Sequence, residues 1–330
     1  MLFSLLNKTP ASASTAGGSG GAGAPGAGAG LAAAGAPAAA RVPKRGPHAL
    51  REGAARALFA AAAALSIAAV ALICLFLLAN GVPAMAEIGL PEFLFGTTWR
   101  PANDLYGIFP MIVGSLYVTA GAMIVGVPGG LLTALYLSRF ARGRTGSFLR
   151  CGVELLAGIP SVVYGFFGLV IIVPFVRLLG PGTGLSVLAA SLILGIMILP
   201  TVITVAQSAL DAVPSRYYEG ALALGVDHEH AVFKVVAPAA ASGIMAAIVL
   251  GLGRAIGETM AVVMVAGNMP IIPDSLLSGV RTMTANIVLE MGYAADLHRE
   301  ALIATGVVLF VFILLITMLL NVIRKRGEAR

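Results

Sequence analysis

Two ionisable residues interrupt one of the most apolar stretches of the sequence, GRAIGETMAV at 253–262. Arg254 and Glu258 are four positions apart, so on an α-helix they would share one face, about 6 Å apart along the axis. A charged side chain at the centre of a membrane helix costs ~2.5–3.5 kcal/mol on insertion scales and is expected to face protein or a water-filled cavity. Residues kept at that cost are candidates for a functional site.

Two interpretations of this pair remain open on the sequence. In the first, Arg254 offers a forked donor to an oxyanion in transit, and Glu258 holds the guanidinium so that the contact stays temporary. In the second, the two residues form a permanent ion pair that fastens the helix to its neighbours or to a partner subunit. Gly253 and Gly257 form a GxxxG pair on an adjacent face, rotated by ~100°, which predicts close packing of another helix.

Other polar residues in apolar segments are weaker candidates. Ser161 and Tyr164 could line the same route, although packing explains them equally well. Asn268 lies near the predicted external end of the Arg254 helix, where it could cap the helix or face the route. Ser115 and Thr119 are expected to hydrogen-bond to their own helix.

The composition defines the kind of protein that must position these residues. Of 330 residues, 58% are hydrophobic and only 11% are charged, against about 25% charged residues in soluble domains. Segments of about 20 mainly apolar residues are long enough to span a bilayer. Six segments qualify, at about 57–80, 110–137, 155–179, 185–208, 242–268 and 301–323. The sequence therefore predicts an all-α polytopic membrane protein with a transmembrane domain at 57–325.

The basic residues predict the orientation. Lys and Arg are frequent before the first span, after the last span and in the loops that follow the second and fourth spans. The mostly acidic loops of the opposite side carry only Arg100, Arg281 and Arg299, and Arg177 lies at the external end of the third predicted span. By the positive-inside rule both termini are cytoplasmic, so the net charge of +6 reflects topology and gives no support to nucleic-acid binding. Residues 1–56 are predicted to be a disordered Ala/Gly/Pro-rich tail followed by a basic cytoplasmic segment.

The loop at 211–240 is predicted to be a compact cytoplasmic element. Pro214 and Ser215 favour the start of a helix over 216–224, and Gly225 is a typical stop. A second helix over 227–236 is expected to end ahead of Pro238. Two short helices joined at a glycine and tethered to spans at both ends could transmit force from a soluble partner.

This loop resembles the signature of ABC importer permeases: Glu-Ala-Ala, three residues, Gly, nine residues, an aliphatic residue, one residue, Leu-Pro. The spacing is intact here, while Gly220 and Ala237 depart from the usual Ala and Leu. The positions that align with the signature, and that the resemblance implies for ATPase coupling, are Glu219, Gly220, Ala221, Gly225, Val235 and Pro238. The resemblance implies the six-span fold of type I importer permeases and a loop over 216–238 that docks on a separate cytoplasmic ATPase.

Three further stretches resemble the permease subunits of phosphate importers, and PstC more than PstA. They are TTWRPANDLYGIFPMIVGSLYVT at 97–119, ELLAGIPSVVYGFFGL at 154–169 and GLGRAIGETMAVVMVAGN at 251–268. This resemblance implies inorganic phosphate as substrate and a bacterial inner-membrane location. It also implies a homologous PstA-like permease, a dimer of ATP-binding subunits and a periplasmic phosphate-binding protein as partners.

Other functions receive less support. The sequence has no GxxxxGK[ST] phosphate loop, so ATP hydrolysis is expected to belong to a separate subunit and this chain is not expected to be an enzyme. His228 and His230 lack a third ligand, so they are expected to be solvated, and no metal or cofactor is predicted. The alternatives kept are a permease for another oxyanion and an ATP-independent channel or secondary transporter, which would not need the 216–238 loop.

Overall fold

The structure is a computed structural model that describes residues 48–141 and 143–328, with side chains described for 52–141 and 143–322. Disorder was predicted for the N-terminal tail, whose residues 1–47 lie outside the described part. The chain divides into a unit over Met1–Ala60 and a unit over Ala61–Arg330. Only the beginning of the first helix is described in the first unit, and all contacts discussed below lie within the second.

The described residues are mostly α-helical, which confirms the predicted fold class. The helices in chain order are α1 (His48–Ile88), α2 (Leu90–Phe95), α3 (Phe109–Leu135), α4 (Gly143–Gly158), α5 (Ser161–Phe167), α6 (Val173–Arg177), α7 (Val187–Asp211), α8 (Ser215–Ala223), α9 (His228–Ala231), α10 (Ala237–Ala239), α11 (Ala241–Gly257), α12 (Met260–Val265), α13 (Met283–Glu290) and α14 (Asp296–Glu328). Wider π-helical turns occupy Tyr136–Phe140, Gly168–Ile172 and Val232–Val236. Two short antiparallel strands, β1 (Trp99–Arg100) and β2 (Leu105–Tyr106), form a hairpin between α2 and α3.

Four described helices are long and apolar enough to cross a membrane, and two bent helix pairs bring the number to six if each pair is one span. The single helices are Glu52–Ile88, Phe109–Phe140, Val187–Asp211 and Asp296–Val322. The bent pairs are Gly143–Gly158 with Ser161–Arg177, at 98°, and His228–Ala239 with Ala241–Gly257, at 70°. Together these elements overlap all six segments expected from hydropathy.

The third segment, expected as a span over 155–179, differs in its first turn. Its residues up to Gly158 belong to α4, which lies almost perpendicular to Ser161–Arg177. Pro160 explains the corner because proline removes a backbone donor and disfavours helical geometry in the residue before it. The straight part of the third span therefore begins at Ser161.

The fifth segment, expected as one helix over 242–268, is broken near its centre. Helix α11 ends at Gly257, Glu258 has an extended backbone (φ −70°, ψ 134°), and α12 begins at Met260. The Glu258 side chain bends towards α12, where Oε1 accepts the backbone N–H of Ala261 at 3.2 Å. Short helices with a break at membrane depth are tolerated only where the freed backbone groups are buried in protein or line a cavity.

Three apolar clusters hold the second unit together. One joins α7 to the outer parts of the third and fifth spans, for example through Ile193 and Val262. A second lies at the end of the bundle that carries the β-hairpin, called here the Trp99 end. The third lies at the opposite end, called the coupling end, where α3, α4 and α7 meet the segment 215–239 through residues such as Leu137 and Val232.

Candidate functional site

The Arg254 side chain lies on the last turn of α11 and is exposed in this chain. Its Nη1 donates a hydrogen bond to Thr201 Oγ1 on α7 at 3.2 Å. A close helix contact makes this reach possible: a Cβ added to Gly251, one turn earlier, would lie 2.8 Å from Val202 Cγ2. The fifth and fourth spans therefore approach at Gly251, and the guanidinium crosses between them at Thr201.

The expected ion pair between Arg254 and Glu258 is wrong. In the part of the chain that the structure describes, the ion pairs within 4.0 Å involve other residues. The reason is local, because α11 ends at Gly257 and Glu258 leaves the helical face that it would have shared with Arg254. Its carboxylate caps α12, and its backbone carbonyl accepts a hydrogen bond from Thr284 Oγ1 at 3.1 Å. Arg254 thus has a neutral partner where a carboxylate was expected.

The GxxxG pair has no partner within the described chain. A Cβ added to Gly253 or to Gly257 would meet nothing within 4 Å. The close packing expected at these two positions is therefore not made by any helix that the structure describes.

The weaker candidates have mainly structural contacts. Tyr164 is buried and donates its hydroxyl hydrogen bond to the carbonyl of Leu156 at 2.7 Å, which spans the corner before α5. Ser161 is the first residue of α5 and is partly exposed. Asn268 has a left-handed backbone (φ 53°), and its side chain donates to the carbonyl of Val263 at 2.8 Å. It therefore caps the end of α12, which is the first of the two roles expected for it.

A second arginine, which sequence reasoning treated only as a loop charge, lies in a buried polar cluster at the Trp99 end. Arg281 Nη1 donates to Glu290 Oε1 at 2.6 Å and to Asn286 Oδ1 at 3.0 Å. Arg281 Nε donates to the carbonyl of Asn268 at 2.9 Å. The two charged side chains are only 15% and 9% exposed, so this pair is largely removed from solvent.

The Glu290 carboxylate also joins two distant segments. Its Oε2 accepts the indole N–H of Trp99 at 2.9 Å and lies 2.9 Å from His298 Nε2. Trp99 packs edge-on against Tyr106, with 5.8 Å between ring centroids. We call Trp99, Arg281, Asn286, Glu290 and His298 the arginine clamp. It connects the β-hairpin, the loop after α12, α13 and the start of α14.

Two tyrosines lie beside the clamp, Tyr106 next to Trp99 and Tyr293 next to His298. Burial raises the pKa of Tyr106 above its usual range, and the neighbouring Asp104 carboxylate acts in the same direction. Burial likewise raises the pKa of Tyr293, with Glu290 contributing. Tyr106 is buried against the clamp, whereas Tyr293 is 71% exposed and contacts His298 with 6.0 Å between ring centroids.

A further buried contact links α3 to α13. Ser115 Oγ accepts the backbone N–H of Met283 at 3.0 Å. Ser115 therefore satisfies one of the free donors at the first turn of α13, and its expected bond to its own helix is wrong. Through Thr284, the same turn of α13 contacts the break in the fifth span.

At the coupling end, the segment 215–239 has the two short helices expected from its sequence. Helix α8 ends at Ala223, and Gly225 has φ 82°, a left-handed conformation that favours glycine. The second helix does not end ahead of Pro238. It passes through the π-helical turn Val232–Val236 into α10, whose first turn accommodates Pro238.

The same segment is attached to the end of α3 by aromatic contacts. The His228 ring packs edge-on against Phe140, with 4.7 Å between centroids, and its Nδ1 lies 2.8 Å from Tyr218 Oη. His228 is therefore a packing residue, contrary to the expectation that it is solvated. His230 is exposed, and its backbone N–H lowers the pKa of Asp227, the residue that caps α9.

The free surface of the coupling segment is apolar next to Gly225. Leu224 is 86% exposed, and Tyr217 and Leu222 are exposed beside it. Of the signature residues, Ala221 is buried in the segment, whereas Glu219, Gly220 and Val235 are exposed or partly exposed. The tip of the segment thus presents a small apolar surface with polar surroundings.

Comparison with known families identifies the protein class to which this geometry belongs. The model of the family described as binding-protein-dependent transport system inner membrane component matches residues 126–328. The chain belongs to this family, and it is a multi-pass inner-membrane permease of an ABC importer. This confirms the resemblance drawn from the 219–238 signature.

Individual relatives cover most of the chain. It is 36% identical over 286 residues to a probable ABC transporter permease protein, YqgH, of Bacillus subtilis, covering 84% of this chain and 93% of the relative. It is 33% identical over 291 residues to the phosphate transport system permease protein PstC of Mesorhizobium japonicum, covering 82% and 89%. It is also 33% identical over 288 residues to PstC 1 of Mycobacterium tuberculosis, covering 76% and 85%.

A solved structure agrees in fold. A chain of the methionine ABC transporter MetNI in an inward-facing conformation aligns with a TM-score of 0.53 and 20% identity, over 70% of this chain and 99% of that chain. The type I importer permease fold is thereby confirmed.

Proposed function

We propose that this chain is the permease subunit of an ATP-driven importer of inorganic phosphate and forms half of its transmembrane pathway. The observation that carries the proposal is the identity of about a third, over most of the chain, with permeases named for phosphate transport. The substrate chemistry agrees with it. An exposed arginine at the centre of a broken span, with a neutral partner, is suited to a transient contact with an oxyanion.

The proposal assigns the pathway role to Arg254, with the break at Glu258 beside it. A carboxylate bound to Arg254 would neutralise the charge that attracts an anion, whereas the hydroxyl of Thr201 leaves that charge in place. Glu258 fixes the first turn of α12 and thereby the start of the second half of the broken span. Ser161 stays a candidate for the pathway, while the contacts of Tyr164 and Asn268 support structural roles.

Energy is proposed to enter at the coupling segment. Its exposed apolar tip around Leu224 suits a cleft on a cytoplasmic ATP-binding subunit, present as a dimer. Its buried side packs against α3, α4 and α7, so a push on the tip would move the coupling ends of these helices together. Both termini of the chain then lie in the cytoplasm, and the Trp99 end faces the periplasm, where a phosphate-binding protein delivers the substrate.

A second, PstA-like permease is proposed to complete the pathway. Gly253 and Gly257 present open space on α11, beside the exposed Arg254. A small-residue face of this kind allows close approach of another membrane helix. The partner would cover this face and bring a second wall opposite Arg254.

The coupling role is tested by substitution at Gly225 in the assembled importer. Gly225→Val places a β-branched residue at φ 82°, where left-handed geometry costs roughly 1–2 kcal/mol. The reshaped tip is expected to reduce phosphate uptake at least about tenfold while the chain remains inserted. Radiolabelled phosphate uptake in proteoliposomes gives the readout.

Gly152→Ala is the control. Gly152 lies inside α4, outside the signature, and a Cβ there meets nothing within 4 Å, so uptake should stay at the wild-type rate. Normal uptake by Gly225→Val, or uptake that survives removal of the ATPase subunit, contradicts the proposal and favours a channel or secondary transporter. Uptake of sulfate in place of phosphate would instead indicate a permease for another oxyanion.

A further inference from the structure

We propose that Thr201 is a positioning residue for transport, the resting partner that holds the Arg254 guanidinium between substrate anions. This inference rests on the proposed function of Arg254 as an anion contact. It replaces the role that sequence reasoning gave to Glu258.

The contact between Arg254 and Thr201 has a defined geometry. Arg254 Nη1 donates to Thr201 Oγ1 at 3.2 Å, and this bond connects the fifth span to the fourth across 53 residues of sequence. The close approach of Gly251 to Val202 fixes the two helices one turn away. The hydroxyl therefore has a defined position relative to the guanidinium.

The contact between Arg254 and Thr201 is weaker than a contact between Arg254 and an oxyanion. A neutral hydroxyl accepts a weaker hydrogen bond from a guanidinium than a charged oxyanion does, and phosphate can form two such bonds in parallel. A passing phosphate would displace Thr201 from Arg254, and the hydroxyl would take the guanidinium back when the anion leaves. A carboxylate at this position would compete too strongly.

The fourth span, which carries Thr201, is attached to α3 and to the coupling segment. The coupling end of α7 is tied to the end of α3, where Ser138 Oγ donates to Asp211 Oδ1 and Arg139 Nη2 donates to the carbonyl of Leu210. The coupling segment follows α7 directly at Pro214. The segment leads on into α11, so it connects the helix of Thr201 to the helix of Arg254, and both members of the contact belong to spans attached to the element where energy is proposed to enter.

The experiment compares Thr201→Val, Thr201→Ser and Thr204→Val in the complete importer with its phosphate-binding protein. Thr201→Val keeps the side-chain shape and removes the acceptor. Thr204 is the matched control on the same helix, since its Oγ1 donates only to the backbone carbonyls of Pro200 at 2.8 Å and Thr201 at 3.3 Å among the described residues, and not to the Arg254 contact. Phosphate uptake, ATP hydrolysis and the yield of assembled complex are measured for each variant.

The expected result is a fall of about fivefold to tenfold in phosphate transported per ATP hydrolysed for Thr201→Val. Complex yield should be unchanged, Thr201→Ser should recover most of the loss, and Thr204→Val should match the wild type. Wild-type coupling in Thr201→Val overturns the inference, as does a loss that serine does not recover. A wild-type importer that moves no phosphate refutes the proposed function itself, which is a separate outcome.

Discussion

The two arginines at 254 and 281 lie in the same half of the sequence and differ in almost every other respect. Arg281 is largely buried and donates to a carboxylate, an amide oxygen and a backbone carbonyl. Arg254 is exposed, and its one partner among the described residues is a hydroxyl. An arginine whose donors are satisfied by its own chain fixes structure, whereas an arginine with free donors and an uncompensated charge is available to a ligand.

The strongest test of this contrast is Arg281→Met. It leaves the Glu290 carboxylate buried without its cation, and breaking a buried pair in this way costs about 3–5 kcal/mol. We expect the purified complex to unfold at a much lower temperature or not to assemble. Arg177→Met is the control, because Arg177 lies at the same end of the bundle but is exposed, and it should behave like the wild type. A wild-type unfolding temperature for Arg281→Met would show that the clamp does not stabilise the fold.

The complementary test is Arg254→Gln, which removes the charge and leaves a shorter, neutral amide donor. We expect phosphate uptake to fall at least about tenfold, since charge-assisted bonds to the anion are lost. Because Arg254 has no charged partner among the residues that the structure describes, the unfolding temperature and the yield of complex should not change. Loss of assembly in this variant would favour the alternative in which Arg254 fastens the fifth span to a partner subunit.

The smallest expected effect sharpens the description of the clamp. Trp99→Phe retains an aromatic ring but removes the donor to Glu290 Oε2. The loss of one hydrogen bond to a charged group is about 1.5–3 kcal/mol, less than the loss of the arginine. Thermal unfolding should therefore show a smaller decrease than for Arg281→Met, with uptake unaffected below the transition. An effect as large as that of Arg281→Met would mean that Trp99 acts through more than this bond.

Hydropathy and turn chemistry carried the sequence prediction of the fold a long way. Segments of about 20 apolar residues located all six regions that the helices occupy, since length and apolarity are what a bilayer demands. Gly225 was recognisable as a helix stop because helices often end at a glycine in the left-handed conformation. Its φ of 82° is of this kind. The Glu219 to Pro238 spacing identified the permease family.

The break at Glu258 could not be seen in the same way. Both halves of the fifth span are apolar, and hydropathy does not report the backbone angles of one residue. The i, i+4 spacing then placed Arg254 and Glu258 on one face of a helix that does not extend that far. The glycine at 257 and the β-branched Thr259 were the only local signals, and each is common inside membrane helices.

The arginine clamp was missed for a different reason. Its members come from the hairpin before α3, the loop after α12, α13 and the start of α14, and no spacing in the sequence joins them. Counting Arg281 and Glu290 as loop charges was sufficient to predict orientation but concealed their burial. The acidic Glu290 next to an apolar helix, with a histidine eight residues later, was the available signal.

The bond between Trp99 and Glu290 also has a consequence for how the chain is made. The two residues are 191 positions apart, and synthesis at about 5–20 residues per second separates their emergence by roughly 10–40 s. During that interval the indole N–H must be satisfied by water or by another group, because its carboxylate partner does not yet exist. The hairpin that precedes α3 therefore forms its bond to Glu290 only after α13 has been made, so that a chain truncated before Glu290 lacks the clamp.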